Sequence, residues 1–298
     1  MSVVWSCNEW DQLEEVIVGN PLRACFPTAD PTTRLAQFPG RSLEEIPQGP
    51  FPQQIIEETE EDLTAFVAVL EELGITIKRP QTWPHEEKFS TIHWESEGYY
   101  NYCPHDIMLV IGDHIIETPN VIRSRSQETF SYRTMLIDYL KSGAKWYSAP
   151  RPMLLDSLFE VDPARPTPRN DEPAFDAANI LRPGLMLCNP ARINDDTLPE
   201  ILKQWKIIYS PPMENTGRHD ADYLARSIGS KWIDMNALSI GPNLVVVDKY
   251  QTPLIKLLEK QGLDVTPLEL RHSKMLGGGF HCITLDIRRT GTLQRYFD

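Results

Sequence analysis

The sequence predicts an α/β protein built from repeated hairpin, helix and strand modules that pack radially or in a stack, in place of one doubly wound sheet. Three observations carry this expectation. Four stretches repeat one order, an amphipathic helical segment, a stop, a β-rich run and usually a proline: 63–80, 134–150, 198–212 and 252–270. Hairpin-like apolar stretches lie between them. No GxGxxG opens a helix after a strand, so the fingerprint of a dinucleotide-binding sheet is missing.

Taken in order, the first copy, LTAFVAVLEELGITIKRP, places Leu63, Phe66, Val67, Leu70 and Leu73 at the spacing of one buried helix face, and Gly74 suits the left-handed cap that ends it. The β-rich run after each helix reads as a core strand. IMLVIGDHIIETP (107–119) turns at Gly112 and Asp113, NILRPGLMLCNP (179–190) turns at Pro183 and Gly184, and NLVVVDKY (243–250) is a further strand. The proline-rich stretch 27–52 reads as a long surface loop, and 161–173 as another.

The composition narrows the partners. The chain has 298 residues, 41% of them hydrophobic, which fits one large domain or two smaller ones. A net charge of -13 argues against nucleic acid or an anionic membrane as the main partner and leaves cationic small substrates comfortable. The opening MSVVWSCNEW has no basic region leading into an apolar stretch, and no run reaches membrane-span length, so a cytoplasmic location is expected. The five cysteines, Cys7, Cys25, Cys103, Cys188 and Cys282, are scattered without a CxxC pair, which argues against a disulfide framework or a zinc site.

Cys282 stands apart because it follows three glycines and a histidine in LGGGFHCITLD. Glycines 277 to 279 permit positive φ and close backbone approach, so they can hold the next residues at a pocket edge; they can equally be a tight strand entry. If 281 and 282 lie on a strand, His281 faces away from the thiol and is no base for it.

These residues bring a resemblance into view. LGGGFHCITLDIRRTGTLQRYFD resembles the C-terminal signature of the amidinotransferases, the family that includes glycine amidinotransferase. NEWDQLEEVIVGN, YNYCPHDIMLVIGDHIIETPNVIRSR, YRTMLIDYLKSGAKWYSAPRP, EPAFDAAN, LCNPAR and SKWIDMNAL agree with that family in order. The likeness runs from Asn8 to Asp298, making 1–298 a single domain. It implies the pentein α/β propeller, five modules around an axis. The implied chemistry moves the amidino group of L-arginine to a primary amine: cysteine attacks the guanidinium carbon, ornithine leaves, and the acceptor takes the amidino group from the covalent intermediate. A guanidinium is a planar fork of donors that carboxylates match. By the resemblance Cys282 is the nucleophile, Asp106 and Asp176 bind the guanidinium, with Asp176 part of the catalytic set, and Arg192 and Ser230 contact substrate. Gly229 stands where glycine amidinotransferase has a second serine. No metal or organic cofactor is implied. The partners are L-arginine and an amine acceptor, and a homodimer is left open as the assembly state. The wording of YNYCPHD and LCNPAR leans towards the toxin-biosynthesis branch, of saxitoxin type, with glycine as the alternative acceptor. A guanidine hydrolase of the same fold and a non-catalytic arginine-binding member are the competing functions.

One departure matters. The family's acid/base histidine lies between the FDAA and NP-R stretches, and no histidine falls between Asp176 and Asn189; His219, in GRHDADY, comes too late. Four helix-to-strand copies stand where a five-module propeller needs five, and the join near 179–187 reads as a missing module. Either the chain lacks this module, or the sequence as read omits a segment. An open propeller exposes strand edges, which favours the second alternative.

Overall fold

The computed structural model describes residues 2–160, 167–168, 181–194, 196–214 and 219–295. The chain starts with β1 (Leu13–Val18), passes through helices α1 (Pro31–Gln37) and α2 (Gln53–Glu72), and reaches β2 (Thr76–Lys78). A hairpin of β3 (Met108–Ile111) and β4 (His114–Glu117) precedes α3 (Arg133–Lys141) and β5 (Lys145–Ser148). Next come β6 (Leu185–Cys188), β7 (Lys206–Tyr209) and the short α4 (Ala221–Arg226). The hairpin β8 (Leu238–Gly241) and β9 (Leu244–Asp248) leads through α5 (Thr252–Lys260) to β10 (Asp264–Leu268), and α6 (Ser273–Leu276) leads to β11 (Thr284–Arg289).

The same two pairings recur. β4 is antiparallel to β3 and parallel to β5; β9 is antiparallel to β8 and parallel to β10. The third copy is assembled from distant parts of the chain, with β1 antiparallel to β11 and parallel to β2. In the fourth, β6 is parallel to β7, and among the described residues its antiparallel partner reduces to a single bridge, Arg182 to Leu185. This is the pentein module, an antiparallel pair extended by a parallel strand after a helix, and among the described residues it occurs three times complete and once in part.

Most expected elements form where their patterns put them. The hairpin at 107–119 turns on Gly112, at φ +59°, and the turn at Pro183 and Gly184 has Gly184 at φ +77°. In α2, Leu63, Phe66 and Leu70 are buried and Val67 partly so; Leu73 lies at the helix end and is 42% exposed, because the chain turns away at Gly74 with φ +80°. Two readings need correction. The third helical segment forms only the 3-10 turn Glu200–Gln204, five residues between Pro199 and Trp205 that are too few to repay α-helix nucleation. The stretch 27–52 is more than a loop: Asp30 caps α1 by accepting from the Thr33 N–H, proline occupies the first turn, and Cys25–Phe26 pairs with Gly49–Pro50. The proposed loop 161–173 and the EPAFDAAN stretch lie, apart from Thr167–Pro168, outside the described residues.

The largest core cluster joins the inner face of α2 to β1, to the tyrosines at 99, 100 and 102, and to Phe280 and Ile283. Phe66 meets Phe280 edge-on with centroids 5.2 Å apart, so the periodic face of α2 supports the turn that carries Cys282. Among the described residues, no helix is long and apolar enough to cross a membrane.

Candidate active site

The cysteine turn is built by close packing that only glycine permits. Gly277 caps α6 in the left-handed region, at φ +67°. A Cβ on Gly278 would stand 2.4 Å from Cys103 Sγ, and one on Gly279 would stand 2.6 Å from the Asn236 Cβ. The Tyr102 hydroxyl donates to the Gly278 carbonyl at 3.3 Å. Asn236 then supplies the hinge: its Oδ1 accepts both the His281 N–H at 2.9 Å and the Cys282 N–H at 3.0 Å.

Residues 281 and 282 are in this turn, with Ile283 between them and the start of β11, so the strand-alternation argument for His281 does not apply. The reason is local: Ile283 N–H donates to Gly279 O and Thr284 Oγ1 to Phe280 O, closing a helical turn before the strand begins. His281 still takes no position as base, since its Nε2 lies 3.1 Å from Glu9 Oε2.

The cysteines separate by environment. Cys103 is fully buried and its thiol is pushed well up by burial, while Cys25, hydrogen-bonded to the His85 and Gly98 carbonyls, is pushed up to about 12 by burial. Burial also raises Cys188 and, with Asp11 helping, Cys7. Cys282 is partly exposed and packs against the main core.

Asp106 ends the 3-10 turn Pro104–Asp106, one residue beyond His105, whose N–H donates to the Cys282 carbonyl at 3.4 Å. That bond ties the Asp106 turn to the cysteine turn. The Asp106 carboxylate takes Arg125 Nη1 at 2.6 Å. Arg125 is buried, forks onto Glu128 through Nε at 2.9 and 3.1 Å, donates to the Cys103 carbonyl, and lies 4.9 Å over the Tyr100 ring. Burial raises Glu128 to about 8 against the pull of Arg125. The arrangement fixes Asp106 while leaving its side chain 17% exposed against 5% for Arg125. Arg125 escaped sequence reasoning, although VIRSR was among the matching stretches; the signal was an arginine within reach of two acids through a hairpin.

Ser230 is exposed, and its Oγ accepts the Trp232 N–H at 3.2 Å. The preceding Gly229 donates to Lys274 O at 2.8 Å, and a Cβ on it would stand 2.9 Å from that oxygen. This explains why glycine occupies 229: the backbone abuts the turn that starts the cysteine loop. Arg192 is exposed in a turn after β6, its N–H donating to Asn189 O, and no contact joins it to the cysteine turn. Asp176 lies outside the described residues. The structure thus brings Cys282, Asp106 and the Ser230 segment to one region. His219 stacks on Tyr223 with centroids 3.7 Å apart, and Tyr223 bonds His272, which bonds Glu58.

Comparison with known proteins supplies the context. No family model matches the sequence. Inosamine-phosphate amidinotransferase 1 of Streptomyces glaucescens is 38% identical over 351 aligned positions, covering 99% of each chain. The chain belongs to the amidinotransferase family. The L-arginine:L-lysine amidinotransferase of Pseudomonas savastanoi pv. phaseolicola is 31% identical, covering 99% of this chain and 97% of that one. The amidinotransferase fold matches closely as well: the solved inosamine-phosphate amidinotransferase StrB1 of Streptomyces griseus superposes with a TM-score of 0.93 at 39% identity, covering all of both chains. SxtG of Microseira wollei, from the saxitoxin biosynthetic pathway, superposes with a TM-score of 0.88 at 30% identity, covering 99% of this chain and all of that one. The 351 aligned positions exceed the 298 residues of this amidinotransferase chain, so more than fifty positions hold a residue in the Streptomyces relative and none here. That deficit is in line with the expected gap near 179–187, and among the described residues β6 pairs in parallel with β7 alone apart from the Arg182 to Leu185 bridge.

Proposed function

We propose that the protein transfers the amidino group of L-arginine to a primary amine through Cys282, in secondary-metabolite or toxin biosynthesis and in the cytoplasm. The observation that carries the reading is the cysteine turn: a partly exposed thiol hung on Asn236 beside a carboxylate, Asp106, held by Arg125. The Cys282 sulfur would form a bond to the guanidinium carbon, with Asp106, and Asp176 by the resemblance, holding the guanidinium fork. Breaking the bond to the δ-nitrogen, which takes a proton, would release ornithine and leave an amidino-cysteine. The acceptor amine would then attack that carbon, lose a proton and regenerate the thiolate. Arg192 and Ser230 are the proposed substrate contacts. No histidine falls between Asp176 and Asn189. If the chain truly lacks the module that carries the family's acid/base histidine, turnover should be slower than in the relatives by about 10²–10⁴, the usual worth of positioned proton transfer. A chain that carries an omitted segment should turn over normally, and intact mass separates the two.

The Streptomyces relatives favour an inosamine-type amine as acceptor, SxtG a toxin intermediate, and glycine is the simpler alternative. Incubation with L-arginine alone tests the core claim: ornithine appears and Cys282 gains one amidino group. An intact, folded protein of unchanged mass refutes it. Citrulline and ammonia would identify a hydrolase, and arginine binding without turnover would identify a binding protein.

A further inference from the structure

We propose that Glu9, His105 and His281 form a binding site for a divalent transition-metal ion, with Zn²⁺ the ion whose chemistry fits best. The three come from separate parts of the chain, Glu9 from the N-terminal segment, His105 from the 3-10 turn Pro104–Asp106 and His281 from the cysteine turn. Their candidate ligand atoms all lie within 4.8 Å of one another. His105 Nε2 is 3.2 Å from Glu9 Oε1, and His281 Nε2 is 3.1 Å from Glu9 Oε2. The two rings face each other with centroids 4.0 Å apart. Two imidazole nitrogens and one carboxylate oxygen form a three-ligand set that zinc accepts with a fourth position left for water.

A second observation is independent of this convergence. His105 Nδ1 lies 3.2 Å from the Thr284 carbonyl oxygen, so Nδ1 carries the hydrogen and Nε2 is the ring's coordinating atom. Metal-binding histidines are commonly held in this way, by a carbonyl on the far nitrogen. A third is access. A cavity of about 180 Å³ lined by Cys7, Glu9, His105 and Asp286 adjoins the cluster, large enough for water and a route in. Coordination through each Nε2 would take the place of its contact with the Glu9 carboxylate, and any proton on that nitrogen would go to solvent. The ion would then link the N-terminal segment to the cysteine turn.

Calorimetric titration of Zn²⁺ into chelator-treated, full-length Cys282→Ser protein tests the site without the nucleophile as a competing ligand. One ion per chain is expected, with a raised melting temperature in its presence. Glu9→Gln and His281→Asn, each introduced into the Cys282→Ser background and checked for native circular dichroism, should weaken binding at least tenfold. Absence of saturable binding to Cys282→Ser overturns the proposal, as does binding that both second-site variants leave unchanged. If one variant fails to fold, the other decides.

Discussion

Removing the Asn236 side-chain acceptor should disable the cysteine turn. Two backbone N–H groups, those of His281 and Cys282, share the Asn236 Oδ1 at 2.9 and 3.0 Å, and Asn236→Ala leaves both without that partner in a part-buried site. An unsatisfied buried N–H costs about 1–3 kcal/mol, and because both sites are only part-buried each falls in the lower part of that range, so the pair should cost about 2–4 kcal/mol. Stability of folded domains is roughly 5–15 kcal/mol, so the variant should remain folded while its urea midpoint falls. The turn also aims the sulfur, and misplacement by about 1 Å costs roughly a hundredfold in a positioned reaction. Arginine-dependent amidination of Cys282, followed by peptide mass, should fall by about that factor in Asn236→Ala. Asn236→Asp keeps an acceptor, so its stability should stay within about 1 kcal/mol of the parent, while its added charge moves the pH midpoint for Cys282 alkylation upward. Asn236→Ala melting within about 0.5 kcal/mol of the parent, with unchanged amidination, would refute the reasoning.

Other perturbations probe other supports. Arg125→Met strands the Asp106 and Glu128 carboxylates; loss of one partner of a buried pair costs about 3–5 kcal/mol, so the urea midpoint should fall accordingly and arginine binding by calorimetry should weaken. Gly278→Ala forces a methyl group onto Cys103 Sγ and the Tyr102 ring; overpacking of about 1–3 kcal/mol should appear as a lower melting temperature, and a smaller residue at 103 should recover part of it. His85 is buried, and burial with nearby Arg23 and Arg125 lowers it to about 3. Because the folded value lies below the unfolded one, its contribution is full above about pH 6.5 and is lost as pH falls towards 3; about 2 kcal/mol should go between pH 6.5 and 5. The slope of unfolding free energy with pH over that interval should flatten in His85→Gln, and an unchanged slope would remove His85 as its source.

What the sequence revealed depended on distance along the chain. The hairpin at 107–119, the strand at 243–250 and helix α2 were legible because period-two and period-3.6 patterns are local, and Cys282 because its glycines precede it directly. The 198–212 segment misled because its apolar spacing is helical, yet proline and length leave only one 3-10 turn. Partners from afar were invisible: Asn236 reaches Cys282 across 46 residues, and Glu9 reaches His281 across 272. Nothing in a single sequence encodes such meetings except the fold that makes them. The count of four helix-to-strand copies, by contrast, was legible, and the 351 aligned positions against 298 residues are in line with it.

The pairing of β1 with β11 sets an order of events. Leu13 lies opposite Arg289 and Val18 opposite Thr284, so the first strand of the ring finds its antiparallel neighbour only when the last has been synthesised. Joining them closes a loop that spans almost the whole chain, an entropic step that follows the local hairpins and favours slow final assembly. A nascent chain can therefore build its 107–148 and 238–268 modules on the ribosome while the thiol-bearing turn has no scaffold. On the proposed role of Cys282, its sulfur would be presented only once β1 and β11 have paired, so interrupted synthesis would yield folded fragments without the assembled cysteine turn.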